Sequence, residues 1–120
     1  MSFWTWVGLT LAGGLGSVAR ALMTHDVNVR TRRGFPFGTL AVNLSGALAL
    51  GVLSAAGLSA VLLAIAGTGF LGAFTTFSTW MYETDHAAMG GHRTRAVLNV
   101  GVSLAAGLLA VWLGRTIAGG

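Results

Sequence analysis

The chain has 120 residues, of which 54% are hydrophobic and only 8% charged, and it contains no cysteine. A soluble domain carries about 25% charged residues, so this chain cannot cover its own surface in water; disulfides and thiolate-held metals are excluded as well. The net charge of +4 rests on seven basic residues, all arginine, set beside apolar runs, which points to anionic lipid head groups and not to nucleic acid.

A helix that crosses a bilayer needs about 20 mostly apolar residues. Four segments reach that length: residues 3–23, 37–57, 58–82 and 96–117. They predict an all-α membrane protein, with residues 1–120 forming a single four-helix transmembrane domain and little outside the lipid. The first segment is too long for the apolar region of a signal peptide and has no basic residue ahead of it, so no cleavable leader is expected. It is rich in small residues, "GLTLAGGLGSVAR", and Gly8, Ala12 and Gly16 recur at every fourth position. That spacing lets helix backbones approach closely in lipid. Arg20 lies near the end of the segment, within reach of the interface. Loop one, "THDVNVRTRRGFP", carries Arg30, Arg32 and Arg33, and Pro36 opens segment two, where a missing N–H costs least.

Segment two, "FGTLAVNLSGALALGVL", places Asn43 within an apolar run. An amide there acts as glue between helices or as a donor facing a pore. The stretch "SAAGLS" leaves almost no loop before segment three. Loop three, "AAMGGHRTR", carries Arg93 and Arg95, and segment four sets Asn99, Ser103 and Gly107 four residues apart on one helix face.

Segment three raises the functional question. In "GFLGAFTTFSTWMYE", residues 69–83, the hydroxyls of Thr75, Thr76, Ser78 and Thr79 stand where hydrocarbon is expected. In one reading the helix is unbroken and its hydroxyls bond back to its own carbonyls. In the other it breaks at mid-bilayer around a cavity lined by protein, the one setting where irregular backbone is allowed at that depth. A break creates free carbonyls suited to a cation and free N–H groups suited to an anion. Phe70, Phe74, Phe77 and Trp80 follow at helical spacing, as a packing stripe or as aromatic edges whose partial positive charge can face an anion. The acids Asp26, Glu83 and Asp85 and the histidines His25, His86 and His92 fall in loops or at helix ends. No nucleophile motif, phosphate loop or metal-ligand spacing accompanies them, so the chain is not read as an enzyme. Glu83, near the end of segment three, is an interfacial carboxylate or a proton relay.

The stretches "GGLGSVAR" at 13–20, "GTLAVNLSG" at 38–46 and "GFLGAFTTFST" at 69–79 stand in order along the chain. Together they resemble the bacterial CrcB/Fluc family of fluoride-specific ion channels, over the whole length. The resemblance implies an antiparallel dimer in a bacterial inner membrane. It implies a third helix broken at mid-bilayer, two fluoride pores, and a structural, non-transported sodium ion (Na+) at the dimer centre. It implies that Gly72 and Thr75 offer carbonyls to sodium and that Asn43, Phe77 and Ser103 line the fluoride pore. Ser78 and Thr79 would form a polar track with Glu83 at its end, and Arg20 closes the first motif. Two pore positions depart: Trp80 stands where the family usually has a second phenylalanine, and Asn99 where a tyrosine is often found.

The function this implies is passive export of cytoplasmic fluoride, which lowers fluoride toxicity. A small-multidrug-type proton-coupled exporter is one alternative, but it needs a carboxylate within its first membrane helix and segment one has none. A non-conducting partner subunit of a heterodimeric fluoride channel is the other, and the two departures are compatible with it. Six arginines lie beside loops one and three and only Arg115 beside the other end. Basic residues in short loops stay cytoplasmic, so the bias favours one fixed orientation. It thus favours a heterodimer with an oppositely oriented homologue over a homodimer.

Overall fold

A computed structural model describes residues 2–31 and 34–119. Helix α1 spans Phe3–Thr31 and α2 spans Phe37–Ala55. Helix α3 occupies residues 60–74 in three pieces: an α-turn, Ala60–Leu62, a π-helix, Leu63–Leu71, and a last α-turn, Gly72–Phe74. Helix α4 is Phe77–Met89 and α5 is Arg93–Ile117. Among the described residues there is no strand. Counting α3 with α4 as one run, four helical runs are long and apolar enough to cross a membrane.

The helices outlast the apolar spans that announce them. At about 1.5 Å per residue, α1 is about 44 Å long, more than the roughly 30 Å of a hydrocarbon core. It continues through His25, Asp26 and Arg30, which the sequence places in loop one. Asp26 and Arg30 form an exposed ion pair of 3.1 Å at i, i+4 spacing, a pairing that supports a helical turn in water. Arg32 and Arg33 lie outside the described residues. Helix α4 likewise runs past Tyr82 through Asp85 and His86, and α5 starts at Arg93, so loop three shrinks to residues 90–92. Gly91 turns the chain there at φ +85°, and the His92 N–H donates to the Ala87 carbonyl at 2.8 Å. Apolarity reports what lies in lipid; helix-compatible polar residues carry the same backbone beyond it.

The joints are fixed by named bonds. Pro36 caps α2, and the side-chain oxygen of Asn28, from α1, accepts from the Gly38 N–H at 2.9 Å. Between α2 and α3, Gly57 takes φ +70°, and the Ser59 hydroxyl oxygen accepts from the Leu62 N–H at 3.2 Å. Such caps satisfy donors that a helix end leaves open.

Helices α1 and α3 run side by side in the same direction, and so do α2 and α5. The small-residue stripe of α1 faces α3: a Cβ at Gly8 would meet Ile65, the Ala12 Cβ sits 3.2 Å from where a Cβ on Gly69 would be, and a Cβ at Gly16 would drive into the Phe70 carbonyl. On the other pair, Gly51 faces the Val111 carbonyl and Gly114 faces the Leu48 carbonyl, whereas Gly107 faces open space. The close approach of α5 is therefore at Gly114. The largest fully buried side chains are Val42, Asn99 and Thr39. Trp4, Leu22, Leu108 and Trp112 are exposed, a surface suited to lipid or to another membrane subunit.

Candidate functional site

The hydroxyl cluster sits where α3 stops. Thr75 (φ −83°, ψ 160°) and Thr76 (φ −146°, ψ 120°) are extended, and helical backbone resumes at Phe77. Asn43 of α2 holds the unwound backbone at two points. Its side-chain oxygen accepts from the Thr76 N–H at 2.8 Å, and its amide nitrogen donates to the Thr76 carbonyl at 3.0 Å. An amide carries a donor and an acceptor side by side, so it can satisfy the N–H and the C=O of one extended residue together. The Thr76 hydroxyl oxygen then caps α4 by accepting from the Thr79 N–H at 3.2 Å. Before the break, the Thr75 hydroxyl donates to the Leu71 carbonyl at 3.0 Å, so both sequence readings of the hydroxyls have a place: back-bonding at Thr75, capping at Thr76.

This arrangement redirects two donors. The N–H groups that a continuous helix would send to the Gly72 and Thr75 carbonyls, those of Thr76 and Thr79, go to Asn43 and to the Thr76 hydroxyl instead. Gly72 and Thr75 line a hollow of about 260 Å³ together with Asn43, Gly46 and Gly67. The Thr75 methyl fills the space a Cβ on Gly46 would take, while a Cβ on Gly72 would meet only the Gly67 carbonyl, at 3.8 Å.

The interruption also divides the aromatic stripe. Phe70 and Phe74 stack at 5.8 Å with an interplanar angle of 14°, and Phe77 meets Trp80 edge-on at 5.8 Å and 80°. These are two separate pairs, because the extended residues turn α4 relative to α3. Phe77 is 70% exposed, and Ser78 and Thr79 beside it are exposed too. On the same level, Arg20 lines a second hollow of about 400 Å³ with Thr24, His25, Thr76 and Thr79.

Trp80 and Asn99, distant in sequence, are bonded to each other. The Trp80 indole N–H donates to the Asn99 backbone carbonyl at 3.1 Å. The Asn99 amide donates to the Thr84 hydroxyl at 2.9 Å and lies 3.5 Å from the Trp80 carbonyl, to which Thr84 also donates at 2.9 Å. Ser103, one turn along α5, is half-buried, and Thr39 of α2 lies against the Glu83 carboxyl. Glu83 opens onto a polar hollow of about 440 Å³ that Gly34, His86, His92 and Arg95 share, so loops one and three meet at one end of the molecule. The sequence places Thr76 in the hydroxyl cluster without assigning it the cap, although a threonine just ahead of a helical run is an N-cap signal. Thr84 has no such signal, because its partner is on another helix.

A family model described as "CrcB-like protein, Camphor Resistance (CrcB)" matches residues 7–115. The chain belongs to the CrcB family. Among its relatives, "Fluoride-specific ion channel FluC 2" of Mycobacterium bovis is 47% identical over 113 residues, covering 94% of this chain and 90% of its own. "Fluoride-specific ion channel FluC" of Acidobacterium capsulatum is 46% identical over 117 residues, covering 93% and 92%. "Fluoride-specific ion channel FluC 1" of Symbiobacterium thermophilum is 42% identical over 122 residues, covering 97% and 98%. The CrcB match takes in the Asn43 clamp, the interruption and the Trp80–Asn99 pair alike.

Proposed function

We propose that this CrcB chain is a subunit of a passive, fluoride-selective channel that lets cytoplasmic fluoride leave a bacterium across its inner membrane. It is an ion channel and not an enzyme. The observation that carries the reading is the Asn43 clamp on Thr76, in a chain so similar to proteins named fluoride-specific ion channels. The clamp keeps open a helix interruption that we place at mid-bilayer, where polar backbone is useful only if it faces an ion.

Fluoride is small and strongly hydrated, so a dry pore must offer donors in place of water without a fixed cation that would trap the ion. The Phe77 edge, the Ser78, Thr79 and Ser103 hydroxyls and the remaining N–H of Asn43 supply that chemistry, with Glu83 at the end of the track and Trp80 beside Phe77. Passive flow needs no energy source: hydrogen fluoride enters uncharged, dissociates inside, and the anion leaves down its gradient.

The donor set at the interruption fits sodium. Hard cations take oxygen ligands, and the Gly72 and Thr75 carbonyls are among those that lose their helical donors at the interruption. When bound, sodium would tie unwound segments together without being transported, and a second copy related by two-fold symmetry would complete its shell. That is the role we assign to an antiparallel dimer. A proton-coupled exporter is disfavoured because the one acid of α1, Asp26, is exposed and paired with Arg30. A bacterium stripped of its own fluoride exporters and expressing this chain, alone or with a homologue, should grow at fluoride levels that arrest the parent. Growth no better than the parent in either arrangement would refute the proposal.

A further inference from the structure

Among the described residues, the buried side-chain atoms left without a hydrogen bond include the Asn99 side-chain oxygen and the Ser103 hydroxyl. Asn99 is 2% exposed. A buried acceptor without a partner costs about 1–3 kcal/mol, and in a native chain such a group calls for an explanation. The two orphans lie one helical turn apart on the same face of α5.

The surroundings of Asn99 supply the explanation. Its amide nitrogen is held by the Thr84 hydroxyl at 2.9 Å, leaving the oxygen unpaired. The two ends of a carboxamide are nearly the same size, so half a turn about the last side-chain bond exchanges donor for acceptor with no change of volume. Thr84 can serve either state. Its hydroxyl now donates to the Trp80 carbonyl while accepting from Asn99; rotated, it donates to the Asn99 oxygen. The turned amide then presents two N–H donors on the side where the orphan oxygen stood. Trp80 has no such freedom, because its indole N–H is fixed on the Asn99 backbone carbonyl.

We propose that Asn99 is an amide switch: its oxygen points inward at rest, and it turns to offer its N–H groups, together with the Ser103 hydroxyl, to a small anion between α4 and α5. The assignment rests on the fluoride-channel reading and adds to it a specificity-determining residue, with Thr84 as its positioning partner and Trp80 as the fixed clamp. An anion repelled by the oxygen in one state is bound by two kinds of donor in the other, and a larger anion gains less, since the amide and the hydroxyl converge from one helix turn.

The chain has three asparagines, Asn28, Asn43 and Asn99, and no glutamine, so its side-chain amide resonances are few. In protein labelled with 15N-asparagine and reconstituted in lipid nanodiscs, the Asn99 amide, assigned by its loss in Asn99→Leu, should shift saturably with sodium fluoride and not with sodium chloride. Thr84→Val removes the hydroxyl both states need and should abolish the shift. In liposomes, Asn99→Leu and Thr84→Val should slow fluoride efflux at least about tenfold, the loss expected when an ion forfeits one charge-assisted hydrogen bond. Trp80→Phe, which keeps the amide and the hydroxyl, should retain the fluoride-dependent shift. An amide resonance indifferent to fluoride in a wild-type protein that conducts, or full flux in folded Asn99→Leu, overturns the switch and leaves the channel reading standing. No flux from wild-type protein in any pairing overturns the channel reading itself.

Discussion

Asn43 is the residue on which the site turns. It pairs with both backbone polar groups of Thr76, and by taking the Thr76 N–H it leaves the Gly72 carbonyl without its helical donor, while the Thr76 hydroxyl does the same for the Thr75 carbonyl. Asn43→Leu keeps the volume and removes both bonds, leaving a backbone donor and acceptor without partners at about 1–3 kcal/mol each. The purified variant should melt lower than wild type and lose any sodium dependence of that melting temperature; a sodium response equal to wild type would detach the clamp from the cation site. Phe77→Ile tests the aromatic edge. It preserves bulk and deletes the ring's positive rim, and flux should fall by at least about tenfold, the equivalent of about 1.4 kcal/mol in the barrier. Flux within twofold of wild type, from protein that still assembles, would return Phe77 to a packing role. At Gly72 the hollow is open on the chain's own side, so Gly72→Val should leave the monomer folded and disturb only assembly. Thr75→Ser keeps the carbonyl and should be tolerated. Size-exclusion profiles of the two variants separate these outcomes.

At the scale of elements, glycines decide how closely the helices approach. Gly51 and Gly114 each face a backbone carbonyl of the opposite helix, and backbone cannot step aside as a side chain can. Gly51→Ala and Gly114→Ala should each cost about 1–3 kcal/mol through overpacking. Gly107→Ala, over open space, should be neutral or slightly stabilising as a better helix former. Thermal melts in one detergent would show the ranking, and equal losses at all three positions would contradict this packing. The same glycines mark the limit of what the sequence reveals. The four spans were legible because about 20 apolar residues have one use in a protein. The stripe of Gly8, Ala12 and Gly16 was legible because its period is helical. Gly114 was not, since Gly107 continues the periodic row of Asn99 and Ser103 while the contact is set by where α2 crosses. The π-helix at Leu63–Leu71 has no side-chain signature, being a matter of backbone register. The interruption was half legible: the hydroxyls pointed to it, but the choice between back-bonding and breaking depended on Asn43, more than thirty residues away in sequence and in contact only once the chain has folded.

For the whole molecule, charge placement sets orientation. Loops one and three share one end, where Arg95 lies against Gly34, and Arg30, Arg93 and Arg95 belong to that end. Arg115 is at the other, where it donates to the Ser54 hydroxyl at 3.1 Å. Arg20 lines a hollow beside the interruption and carries less weight in orientation. Basic residues in short loops stay cytoplasmic, so a reporter fused after Gly120 should read as external. Equal signals from cytoplasmic and periplasmic reporters would instead indicate insertion both ways, and with it a homodimer. An external C-terminus predicts that full conduction needs a homologue of opposite orientation.

The most direct test of the account is fluoride efflux from liposomes holding the purified protein, alone and paired with such a homologue, with a potassium ionophore to balance charge and no proton gradient. Rapid release of fluoride, with chloride retained, is the predicted result. Release that requires a proton gradient, or none in either arrangement, would contradict it.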